Sequence, residues 1–176
     1  MDLNKALEND ELLLHYQPQF DARTGRMVGA EALIRWLHPE NGMISPYNFI
    51  PVAKLCGLMI PIGQWVLNTA CIAAKNWQNQ GLPKIRICVN ISARQFHTDN
   101  FVETIERAIK ISNLNPKWLE LEITEGMVIK NAESVITKLQ GLKALGVYLS
   151  IDDFGTGYSS LAYLKRFPLN KLKIDQ

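Results

Sequence analysis

The chain has 176 residues, 47% hydrophobic and 20% charged, an ordinary globular composition with enough apolar material for a core. A formal net charge of +2 is too small to suggest a nucleic-acid binder or a membrane-surface protein. Cys56, Cys71 and Cys88 are odd in number and lack CxxC spacing, so they read as reduced core thiols in a cytoplasmic protein.

Residues 1–11 are polar and acidic and do not read as a signal peptide. A weakly alternating strand is expected over 12–19, followed by the turn-rich run Asp21 to Gly25, which suggests a hairpin with the strand over 27–36. Helices are expected over 46–57 and 62–80, the second closed by Gly81-Leu82-Pro83. The most apolar region, 49–67, is interrupted by Pro51, Lys54, Pro61 and Gln64, so no membrane span is expected. A strand over 85–90 precedes a helix capped by Thr98 or Asp99, with Phe101, Ile105, Ala108 and Ile109 at helical spacing. A strand over 118–123 follows. Asn131 opens a helix striped by Val135, Ile136, Leu139, Leu142 and Leu145 and stopped by Gly146. A strand over 147–151, a helix over 159–167 and a strand over 171–175 complete the series. Strands alternating with helices indicate an α/β fold with a parallel sheet, the opening hairpin being the irregularity. No linker, repeat or low-complexity run divides it, so residues 1–176 read as one domain or part of one.

Side chains alternate faces along a strand, and each strand here has one apolar face and one that carries polar groups. The polar faces hold Glu31, Asn90, Glu122, Asp152 and Lys173, mostly near the C-terminal ends. A barrel would gather these five at the mouth where such folds place their chemistry. Taken singly, each has a plainer reading. Glu31 could be a strand-surface carboxylate, Asn90 a strand-end cap, Glu122 one face of an edge strand, and Lys173 a solvated lysine. Asp152-Asp153 could be a solvated turn, although adjacent carboxylates at a strand end repel unless a cation shares them. Together, three carboxylates and an amide are an oxygen-rich donor set suited to Mg²⁺ or Mn²⁺ rather than zinc. His15, His38 and His97 are scattered, and neither a P-loop nor GxSxG is present.

Six ordered blocks then carry a family resemblance. They are Tyr16-Gln17-Pro18, Glu31-Ala32-Leu33-Ile34-Arg35-Trp36, Val89-Asn90-Ile91-Ser92, Glu120-Leu121-Glu122-Ile123-Thr124-Glu125, the run from Asp152-Asp153 to Leu161, and Lys173-Ile174-Asp175. Over essentially the whole chain this resembles the EAL domain, the bacterial cyclic di-GMP phosphodiesterase module. The resemblance implies a TIM-like (β/α)8 barrel with one antiparallel strand, and hydrolysis of cyclic di-GMP to linear pGpG by a two-metal mechanism. It implies Glu31, Asn90, Glu122, Asp152 and Asp153 as ligands of two Mg²⁺ or Mn²⁺ ions, Asp152 bridging them. Lys173 would hold the attacking water, Gln17 and Arg35 would contact substrate, and Glu125 would secure the loop after Asp152. A (β/α)8 barrel takes ~250 residues. The last two strand–helix units are therefore expected to lie outside this chain, leaving open strand edges and the possibility of a homodimer. An upstream sensor or GGDEF-type domain in a longer parent is also expected. A catalytically inactive module that binds cyclic di-GMP or a protein partner is the competing reading.

Overall fold

The computed structural model describes residues 3–128, 132–155 and 166–174. In chain order these form α1 (Leu3–Glu8), β1 (Leu12–Phe20), β2 (Met27–His38), β3 (Gly42–Ile44), α2 (Pro46–Leu55), α3 (Met59–Asn79), β4 (Arg86–Asn90) and α4 (Ala93–Phe96). They continue with α5 (Phe101–Ser112), a 3₁₀ turn (Pro116–Trp118), β5 (Leu119–Thr124), α6 (Glu125–Val128), α7 (Ala132–Ala144), β6 (Tyr148–Phe154) and β7 (Lys171–Ile174).

β1 and β2 form the hairpin, in antiparallel register from Leu12↔Trp36 to Phe20↔Met27. Asp21 builds its turn: Oδ1 accepts from the Arg23 and Thr24 amides and from the Thr24 hydroxyl. The remaining main strands add in parallel in the order β1-β2-β4-β5-β6-β7, and β3 pairs antiparallel with the end of β2. This is an α/β fold with a mostly parallel sheet and an antiparallel hairpin at its start, as the alternation and the hairpin predict.

The outward faces of the strands make the core. Ala30, Ala32, Ile87, Val89, Leu119, Leu121, Ile123, Leu149 and Ile151 are buried with Leu67, Ala70 and Ala74 of α3, Ile105 and Ala108 of α5, and Leu139 and Leu142 of α7. Burying each of the valine, leucine and isoleucine side chains contributes about 1.5–3 kcal/mol. Gly63 on α3 is required by a close approach, since a Cβ there would collide with the Gln95 side chain. No helix among the described residues is long and apolar enough to cross a membrane.

Several boundaries differ from expectation, each for a local reason. α1 was not expected: only Leu3 and Ala6 are buried in it, too few apolar positions to show a period against polar neighbours. α4 is one turn, closed by a reciprocal capping box in which the Ser92 hydroxyl accepts from Gln95 N–H while Gln95 Oε1 accepts from the Ser92 backbone. Thr98 therefore does not cap α5. Its hydroxyl donates to the Gln95 carbonyl at 2.8 Å, and Asn100 takes the N-cap position of α5. Cys56 is the C-cap residue of α2 and is exposed, whereas Cys71 and Cys88 are buried, so only two of the three thiols belong to the core. Leu172 and Ile174, the apolar face of the last strand, are 45% and 78% exposed. β7 stands last in the sheet order and pairs with β6 on one side. Arg166 and Phe167, at the end of the helix expected over 159–167, lie in a turn and a bend, and the rest of that helix, like Asn131 and Asp175, falls outside the described residues.

Candidate metal centre

Ladder register decides which side chains share the interior face. Glu31 stands opposite Cys88, Asn90 opposite Glu122, and Thr124 opposite Asp152. Partners in a parallel ladder point to the same side, so these polar groups converge toward the C-terminal ends of the strands. The contacts are direct. Asn90 Nδ2 donates to Glu31 Oε1 at 2.7 Å. Lys173 Nζ lies 2.8 Å from Glu122 Oε2, 3.1 Å from Asp152 Oδ2 and 3.6 Å from Glu31 Oε2. Five candidate residues from five strands thus meet in one cluster.

That cluster is electrostatically unbalanced, with three carboxyl groups around one ammonium. Glu122 is 1% exposed; its Oε2 accepts from Lys173, and its Oε1 is buried without a hydrogen-bond partner. Burial pushes the Glu122 pKa up, against the hydrogen bond and charge of Lys173, and the charges of Glu31 and Glu120 add to the rise. For Lys173 burial disfavours the ammonium, but the Glu122 hydrogen bond and charge, the Glu31 charge and the Asp152 hydrogen bond together hold its pKa above the ordinary lysine value. Lys173 is therefore a cation at neutral pH, able to donate to and orient an oxygen but not to accept a proton.

Asp153 is exposed beside Asp152, with φ of 56° in the left-handed region, where a short polar side chain is tolerated. The β6–β7 ladder shifts register between Ile151 and Phe154, a bulge at the Asp152-Asp153 step. Glu125 opens the one-turn helix α6 rather than standing on a turn, and it is 2% exposed. Its Oε2 accepts from the Gly155 amide at 2.9 Å, and Gly155 has φ of 100°, which favours glycine. Gln17 pairs with Glu31 across the hairpin and is exposed on the same face. Arg35 shares that face four residues beyond Glu31 and donates from Nη1 to the Ile34 carbonyl. It lines a cavity of about 660 Å³ whose walls include Asn90, Ser92, Thr124 and Met127.

A second polar layer lies below and was not singled out as functional in the sequence. Glu120 is 1% exposed and is paired with Lys171 at 3.0 Å and Arg86 at 3.4 Å. Gln19 Oε1 accepts from Cys88 Sγ and Lys171 Nζ. Strand alternation puts Arg86, Glu120 and Lys171 on the polar side, but it carries no sign that they touch. Among the described residues, Cys88, Glu120 and Glu122 could also bring ligand atoms within 4.8 Å of one another. They make a poor metal site. Burial, and then the charges of Glu120 and Glu122, push the Cys88 thiol well above its usual range, while metals bind thiolate. Glu120 is already held by two cations.

With this geometry in hand, the likeness to known proteins is specific. The sequence pattern of the EAL domain matches residues 1–176, and the chain belongs to that family. It is 47% identical over 175 residues to the bifunctional diguanylate cyclase/cyclic di-GMP phosphodiesterase MucR of Pseudomonas aeruginosa, covering 99% of this chain and 26% of that protein. It is 40% identical to the cyclic di-GMP phosphodiesterase PdeR of Escherichia coli, covering 99% of this chain and again 26% of the relative. The chain thus spans about a quarter of the length of these relatives. Among solved structures, the MucR phosphodiesterase in complex with c-di-GMP superposes with a TM-score of 0.95 at 47% identity, covering 99% of this chain and 70% of that one. The FimX EAL domain of Pseudomonas aeruginosa bound to c-di-GMP gives 0.86 at 25% identity, covering 98% and 69%. The TIM-like barrel architecture expected from the motifs is that of these neighbours, and the six-strand series here corresponds to part of it.

Proposed function

We propose that this chain carries the metal-binding half of a cyclic di-GMP phosphodiesterase site, which hydrolyses one phosphodiester of the cyclic dinucleotide to give linear pGpG. The observation that carries this reading is the surplus of carboxylate at the mouth: Glu31, Glu122 and Asp152 around Lys173, with Glu122 Oε1 buried and unpartnered. An orphaned buried carboxylate oxygen is costly unless a cation completes it. The donor set is all oxygen and fits Mg²⁺ or Mn²⁺.

Glu31, Asn90, Glu122, Asp152 and Asp153 would hold two divalent ions. When bound, such ions would lower the pKa of the attacking water and neutralise charge on the entering and leaving oxygens of an in-line displacement. The residues of the chain do the rest. Lys173 donates from Nζ and fixes the position of the attacking oxygen. Arg35 presents a planar donor fork to a substrate phosphate, and Gln17 contacts substrate beside Glu31. Glu125 holds the segment after Asp152-Asp153 through Gly155.

The test is incubation of the complete purified domain with cyclic di-GMP and Mn²⁺ or Mg²⁺, with chromatographic separation of the nucleotides. Metal-dependent appearance of pGpG is expected. Saturable binding with no product would leave a cyclic di-GMP-binding module and contradict the enzymatic reading.

A further inference from the structure

β5 and β7 carry the same period-two pattern with opposite charge: Glu120-Leu121-Glu122-Ile123 on one and Lys171-Leu172-Lys173-Ile174 on the other. A two-residue slip of β7 would keep every side chain on its own face and set Lys171 where Lys173 now stands. Neither charge nor apolar pattern opposes such a slip, because period-two matching specifies the face and not the height. The ladder opposes it weakly. β7 has four residues, and its register with β6 shifts between Ile151 and Phe154, at the height of the candidate metal centre.

We propose that the pair between half-buried Lys171 and buried Glu120 is a register lock that sets the height of Lys173 against Glu122. Lys171 stands opposite Ser150, which in turn stands opposite Glu122, yet it reaches two residues deeper to Glu120 at 3.0 Å. There Gln19 Oε1 accepts a second hydrogen bond from it. Gln19 fits because its ladder partner Gly29 has no side chain; a Cβ at Gly29 would come 3.1 Å from Gln19 Oε1. Arg86, stacked on the Tyr148 ring at 4.3 Å, fills the other side of Glu120. Of the two β7 lysines Lys171 meets this pocket, and Lys173 meets Glu122. The pair spans the barrel interior across β6, joining two strands that share no backbone ladder. Buried polar contacts of this kind are best attested as devices that fix register.

Lys171 and Glu120 are positioning residues, and their effect on turnover rests on the phosphodiesterase reading above. The experiment therefore has two arms. In the first, kcat and KM for cyclic di-GMP are measured for Lys171→Met, Lys171→Arg and the double variant Glu120→Gln/Lys171→Met. Loss of about 10- to 100-fold in kcat is expected for Lys171→Met with KM little changed, the size typical of removing a partner that orients a metal-site group. Lys171→Arg, which keeps the charge and reach, should regain most of it. The double variant leaves no unpaired buried carboxylate, so a role in stability alone predicts recovery there, whereas the lock predicts none. In the second arm, amide hydrogen exchange is followed over Lys171–Ile174, a readout independent of activity. Faster exchange in Lys171→Met and in the double variant, but not in Lys171→Arg, is expected. Recovered kcat in the double variant, or unchanged exchange in Lys171→Met, would overturn the lock. A wild-type protein with no turnover would remove the phosphodiesterase reading and leave the exchange arm to decide the lock.

Discussion

Glu125 Oε2 accepts a hydrogen bond from the Gly155 amide at 2.9 Å, which ties the start of α6 to the backbone that follows Asp152-Asp153. The two residues are thirty positions apart, and the bond crosses from the end of β5 to the end of β6. Glu125→Ala should therefore lower turnover by about 10- to 100-fold while leaving Mn²⁺ affinity largely intact, as expected for a group that orients rather than ligates. Calorimetric titration beside the activity assay separates the two. Abolished metal binding would make Glu125 a ligand.

Asp152 is the carboxylate expected to bridge two ions, and it also accepts from Lys173 at 3.1 Å. Asp152→Asn keeps its size but removes its charge. Turnover should fall below detection in the presence of Mn²⁺, with thermal stability of the metal-free protein unchanged or raised, since one carboxylate leaves a crowded acidic cluster. A variant retaining wild-type turnover would exclude Asp152 from the metal centre.

The three thiols should differ sharply in reactivity. Cys56 is exposed, whereas burial pushes Cys71 up to about 12, against a hydrogen bond with Ser112, and Cys88 higher still. Thiolate is the reactive species. One thiol should react rapidly with a disulfide reagent at pH 8, and the other two only after denaturation. Fast labelling of Cys88 would show that the layer beneath the site opens readily.

Lys173 also predicts a pH dependence. Its folded pKa is raised, so its contribution to stability is fully present below the ordinary lysine value of about 10.4 and is lost as pH rises above it. In metal-free protein, the stability difference between wild type and Lys173→Met should be flat from pH 7 to about 10 and shrink beyond. The side chain is 24% exposed, so solvent screening limits its size. A difference that grew above pH 10 would mean that the carboxylates do not hold Lys173 as an ammonium.

Much of this site is legible because strands have a period of two. The alternation in β4, β5 and β6 separates core from interior residue by residue, and that parity alone brings Asn90, Glu122 and Asp152 to one side. What alternation does not carry is height and partnership. Glu120 and Lys171 are fifty-one positions apart, and nothing local says that they meet while Glu122 goes to Lys173. Thr98 looks like a helix cap, but its hydroxyl is engaged by the Gln95 carbonyl one turn earlier, a contact created by the Ser92–Gln95 capping box. Leu172 and Ile174 read as core because they alternate with lysines. Their exposure depends on what packs over that face, which alternation within the segment does not carry.

Anomalous diffraction from crystals grown with Mn²⁺ tests most directly the proposed metal centre at Glu31, Asn90, Glu122 and Asp152. The expected result is a peak with oxygen ligands from these four residues, with Glu122 Oε1 among them. A peak at Cys88 and Glu120 instead, or no peak near Glu122 at saturating Mn²⁺, would contradict it.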